Sequence, residues 1–74
     1  MKKMLVAIED VFTGFAKPAI VNSREHAARD FKLICKDDVR ADDLRLWEVG
    51  EFDTETGEIF PKKPDLIMKG AADD

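Results

Sequence analysis

Apolar and polar positions along the chain divide it into a few short elements. Met4 to Ile8 is an unbroken apolar run rich in strand formers, closed by Glu9 and Asp10, and predicts a first β-strand. The loop Glu9 to Gly14 holds Asp10, Thr13 and Gly14, which suit a turn. Phe15 to Val21 is a second extended segment. Pro18 has no amide hydrogen, so this segment is expected at an edge or with its donor side turned outward. Asn22 and Ser23 then open a helix, with either Asn22 and Glu25 or Ser23 and His26 in the N-cap and N3 positions. Ala27, Ala28, Phe31, Ile34 and Cys35 recur at three- and four-residue spacing and form one apolar stripe. Glu25 and Arg29 are spaced for a supporting ion pair. The helix should stop near Lys36, because the carboxylates of Asp37 and Asp38 oppose the dipole at a helix C-terminus.

Val39 to Asp43 is a connection with room for one helical turn, and Leu44 to Phe52 predicts a third strand. Asp53 to Gly57 reads as a hairpin loop, with Asp53 capping a turn and Gly57 in the left-handed conformation after it. Glu58-Ile59-Phe60 begins a fourth strand that Pro61 and Pro64 keep short or push to an edge. The expected organisation is a single domain over residues 1–61 and a partly disordered C-terminal tail over 62–74. That tail has one apolar patch, Leu66 to Met68, and fades into Gly70-Ala71-Ala72-Asp73-Asp74. The fold class is α+β: a β-β-α-β-β chain forming a four-stranded, mainly antiparallel sheet with one helix on one face.

The strand patterns add a constraint. A strand with one wet face alternates apolar and polar residues. In the first strand, Met4, Val6 and Ile8 point one way while Leu5 and Ala7 point the other. In the third, Leu44 and Leu46 oppose Trp47 and Val49, and Gly50 marks a candidate bulge before Phe52. Both sheet faces are thus partly apolar, and one helix hides only one of them. A homo-oligomer, with a dimer favoured, is therefore expected to form through the other face or an edge, with Leu5, Ala7, Trp47 and Val49 as its interface.

Length sharpens that expectation. A chain of 74 residues buries only about 60% of its unfolded surface, and such chains usually need a disulfide, a metal or a partner. Cys35 is the sole cysteine, so no disulfide forms within one chain, and a thiol on the apolar stripe reads as a small buried hydrophobe. His26 is the sole histidine. It lies one helical turn from Asp30, but nothing supplies the remaining ligands, so no metal and no cofactor are expected. The basic start is followed by an apolar run too short for a signal sequence, and no stretch approaches the length of a membrane span; a cytoplasmic setting is expected. The formal net charge of −4 argues against coating nucleic acid by bulk charge, though a local basic patch stays open.

The block Leu46-Trp47-Glu48-Val49-Gly50-Glu51-Phe52-Asp53-Thr54-Glu55-Thr56-Gly57-Glu58-Ile59 is the distinctive part of the chain. Together with Lys17-Pro18 and Ala27-Ala28-Arg29-Asp30-Phe31, it resembles the small nonstructural protein of gokushoviruses, single-stranded-DNA phages of the Microviridae. The resemblance spans Met4 to about Phe60; residues 62–74 show no matching pattern. It implies a non-enzymatic phage protein with a part in viral DNA replication, working in the cytoplasm of the bacterial host.

Candidate site residues divide between functional and structural readings. Trp47 is either a stacking platform for a single-stranded base or a residue buried between subunits, and with Val49 on its face the second is favoured. Phe31 is expected in the core, and Phe12 and Phe15 are expected to close its end. Arg24, Arg29, Lys32 and Lys36 on the helix, with Lys62 and Lys63 beyond the hairpin, are the candidate nucleic-acid contacts; the plain alternative is a solvated surface. The carboxylates around the hairpin fail the calcium-loop spacing at Asp53, Glu55 and Glu58. Glu51 and Asp53 lack the enclosing cleft that acid/base catalysis needs. No catalytic residue is therefore named. Two functions remain: binding of single-stranded DNA or a replication complex during genome synthesis, or a protein-interaction module that binds a host or viral protein without touching nucleic acid.

Overall fold

A computed structural model of the chain describes residues 1–36 and 40–70. The first apolar run lies inside a longer strand, β1 (Lys2–Asp10), which extends through the residues expected to start the loop. The second extended segment divides into β2 (Gly14–Phe15) and β3 (Ala19–Val21), separated at Ala16 to Pro18. Both pair antiparallel with the same edge of β1, so the four expected strands become five and the order is β-β-β-α-β-β. The break follows from Pro18, which cannot donate to β1. Helix α1 (Arg24–Lys36) follows, then a 3-10 turn over Ala41–Asp43, then β4 (Leu44–Asp53) and β5 (Ile59–Lys69). The sheet is antiparallel throughout, with β4 on the other side of β1 and β5 at the outer edge. The α+β class stands, with a single helix among the described residues.

Of the two capping pairs, Ser23 and His26 form. The Ser23 Oγ accepts from the His26 amide at 3.1 Å, leaving Asn22 to accept from the Lys3 ammonium at 2.6 Å. At the hairpin, Asp53 Oδ1 accepts from the amides of Glu55 and Thr56, and Gly57 takes a φ of +81°. These bonds hold the Asp53 carboxyl below the ordinary aspartate range; the Glu55 amide is the main cause.

Ala27, Phe31 and Cys35 point from the helix onto the sheet, where they meet Val6, Leu44 and Leu46 in one buried cluster closed by Ala41. Phe31 is its anchor, 1% exposed. Ile34, which the apolar stripe put inward, is about half exposed. The registers show a bulge at Val49: Leu5 faces Gly50 and Val6 faces Glu48, so Val49 has no partner on β1. The irregularity expected at Gly50 therefore sits one residue earlier. Gly50 itself lets β5 come close, since a Cβ there would lie 2.6 Å from the carbonyl oxygen of Phe60.

The C-terminal region differs most from the sequence reading. Residues 62–69 are not a tail: they continue β5 through Lys69, so the boundary expected at residue 61 falls inside a strand. Pro61 and Pro64 push β5 to the sheet edge, as expected, without shortening it. Gly70 then donates to the Leu44 carbonyl and packs against Ala41 and Cys35, closing the core. The disorder expected from Gly70 onward is not found at Gly70, which is held by that bond; the last four positions, and the Asp37-Asp38 stop signal, fall outside the described residues.

Candidate functional site

The helix covers the face bearing Met4, Val6 and Ile8. Residues opposite one another in antiparallel strands share a face, so the registers define the other face row by row. Phe15, Glu9, Arg45 and Lys69 line up across β2, β1, β4 and β5. Ala7, Trp47 and Leu66 form the next row; Ile20, Leu5, Gly50 and Pro61 the third; Lys3, Phe52 and Ile59 the last. No described element packs over this face. Phe15, Ile20 and Ile59 are half or more exposed on it, whereas Leu5, between Ile20 and Gly50, and Ala7, beside Trp47, are buried.

Trp47 organises this surface. Its indole Nε1 donates to Glu9 Oε1 at 2.9 Å, and its ring meets Phe15 at 6.2 Å between centroids, tilted by 48°. Arg45 lies two residues before Trp47 and Lys69 stands beside Arg45; neither makes an ion pair with a described residue. The face thus carries the cations Lys3, Arg45 and Lys69 and the carboxylate of Glu9, in a chain with a net charge of −4.

The cations named from sequence are placed differently. Arg24 reaches Glu48 and Asp65, both at 3.1 Å, and Lys62 reaches Glu48 at 3.4 Å. The bond to Glu48, and then Asp65, hold the Arg24 guanidinium firmly charged. These two cations come together, but around carboxylates. Arg29, Lys32 and Lys36 are exposed along α1 and Lys63 is exposed on β5, without ion pairs to described residues. Arg24 and Lys36 sit near opposite ends of the helix, about 18 Å apart.

Of the four interface candidates, Leu5 and Ala7 are already dry in one copy, Trp47 is half-buried and Val49 is the bulge residue. Phe12 and Phe15 do not close the core: Phe12 is largely exposed under the Arg40 guanidinium, and Phe15 stacks on Trp47. The reason is that Phe12 sits on the β1–β2 turn, while Phe15 pairs with Glu9 and so lies on the face away from the helix. Sequence reasoning missed Glu9 and Arg45. Arg45 could have been found, because it is two residues from Trp47 on one strand and so shares its face. Lys69 reads from the sequence as a cation grouped with Lys62 and Lys63; its place beside Arg45 could not be read, because its row depends on the β4–β5 register.

A concavity lies on the helix side. It is an apolar cleft of about 250 Å³ at the break between β2 and β3, floored by Val6, Ile8, Phe31 and Ile34, with Lys17 and Asp30 among its lining residues. Among the described residues no group of His, Cys, Asp or Glu is placed to hold a metal ion, and no helix is long and apolar enough to cross a membrane.

The family model described as Phage ORF5 protein matches residues 3–72. The chain belongs to the Phage ORF5 family. The match includes the region beyond Phe60, where the sequence showed no pattern, and β5 is the element that region builds. No curated protein and no solved structure matches this ORF5-family chain significantly.

Proposed function

We propose that this phage protein binds single-stranded DNA during viral genome synthesis, as a non-enzymatic nonstructural protein of the gokushovirus type, in the cytoplasm of the infected bacterium. One observation carries the reading: Trp47 and Phe15 lie in contact on a helix-free sheet face, with Arg45 and Lys69 in the adjoining row. Aromatic rings on an open sheet stack bases, and nearby cations hold the phosphates between them. The proposed DNA surface is therefore the sheet rather than the helix cations.

Self-association competes for the same face. A dimer through this face would gather two copies each of Lys3, Arg45 and Lys69 in one interface, with only the two Glu9 carboxylates to offset them, and an excess of like charge across an interface is unfavourable. An anionic partner does not meet this penalty.

Trp47 is the only tryptophan, so its fluorescence reports directly on the site. Titration with a single-stranded oligonucleotide at low salt should quench it, and the affinity should fall as salt rises. Unchanged fluorescence at low salt, with no complex in a gel shift, overturns the reading. Sedimentation of the free protein then tests the homodimer.

The protein-interaction reading has its own support in the cleft beside Phe31 and Ile34, which is large enough for one apolar side chain of a viral or host protein. A crosslink from a photoreactive group at position 34, captured in infected cells and persisting after nuclease treatment, would favour it.

A further inference from the structure

We infer that Glu9 makes this site discriminate between bases, favouring those that carry an exocyclic amino group. The inference rests on the proposed DNA binding. A carboxylate is an odd occupant of a phosphate-binding surface, because it repels the backbone. Glu9 nevertheless stands at its centre: Phe15 is its cross-strand neighbour on one side, Arg45 on the other, and the Trp47 indole is hydrogen-bonded to it at 2.9 Å.

That bond uses Oε1. Oε2 makes no hydrogen bond or ion pair with a described residue, and the side chain is only partly buried. A base stacked on the exposed part of the indole would bring its edge within reach of this free oxygen. A carboxylate accepts and cannot donate, so it pairs with the exocyclic amino group of cytosine, adenine or guanine. Thymine and uracil present an N–H flanked by two carbonyl oxygens, which the carboxylate repels. Arg45, in the same row, is placed to meet a ring acceptor or the adjacent phosphate.

The test compares oligodeoxycytidine, oligodeoxyadenosine and oligodeoxyuridine of equal length, each titrated against the whole chain by Trp47 fluorescence. The protein should bind the cytidine and adenosine strands about fivefold tighter than the uridine strand per discriminated base. In Glu9→Gln the amide oxygen can still hold the indole, but the free position becomes a donor, so the preference should vanish or reverse. Near-UV circular dichroism of Trp47 shows whether the tether survives. Equal affinity of the native protein for all three strands overturns the inference and leaves DNA binding standing; a preference that persists in a folded Glu9→Gln variant also overturns it. Failure to bind any strand removes DNA binding itself. The comparison on the native chain needs no variant, so a misfolded Glu9→Gln protein does not block the decision.

Discussion

The two faces of one sheet make the sharpest contrast in this molecule. On the helix side, Phe31 and its neighbours are dry, and the charges at the rim neutralise one another: Arg24 and Lys62 close on Glu48, and Arg24 also on Asp65. On the other side, Trp47 and Phe15 lie open and Arg45 and Lys69 have no ion-pair partner among the described residues. Both faces use alternate residues of the same strands. A net acidic chain can therefore hold a locally basic surface, because its carboxylates, Glu9 apart, are placed elsewhere. An apolar residue on the uncovered face, moreover, need not be wet. Leu5 and Ala7 are buried there within the sheet, with no described element laid over them.

The contrast can be broken most forcefully from the dry side. Phe31→Ala should cost about 3–5 kcal/mol, much of the stability of so small a domain, and chemical denaturation should show a largely unfolded chain. A loss well under 1 kcal/mol would mean that the helix does not anchor the fold.

The next effect sharpens the open side. Replacing Arg45 and Lys69 together by Gln should lower the dependence of log affinity on log salt by about 0.7 for each phosphate no longer neutralised. The same change at Arg29 and Lys32 should leave the slope unaltered. Salt-series titrations on both variants would assign binding to the helix if the second pair dominates.

The smallest effect lies at the hairpin where the two faces meet. The Asp53 carboxyl is held below its ordinary range by the Glu55 and Thr56 amides, so the unfolded chain binds its proton more readily. Its contribution is complete above the ordinary aspartate range and is lost as pH falls through the folded value. Thermal midpoints between about pH 7 and about pH 3 should fall less steeply in Asp53→Asn than in the native chain. Equal slopes would show that those bonds do not select the charged form.

Much of this was legible in the residues. Apolar runs, helical spacing and capping placed β1, α1, β4 and the hairpin, because these signals are local: Ser23 precedes a helical stripe, and Gly57 follows an Asp53 turn. The doubly apolar strands pointed to an uncovered face containing Trp47. The candidate cations were less legible, because a charge's role depends on what stands opposite it. Arg24 and Lys62 read as free until β4 brought Glu48 between them.

What the sequence determined by itself is the class of fold, the anchor at Phe31 and the aromatic at Trp47, all of which follow from periodicity within a few residues. Only the tertiary structure decided that residues 62–69 are a strand, that Val49 is the bulge and that Glu9, Arg45 and Lys69 share a row with Phe15. Those facts depend on register between strands far apart in the chain. A one-residue slip would turn every side chain to the opposite face, and no local pattern in β5, interrupted by two prolines, selects the register that forms.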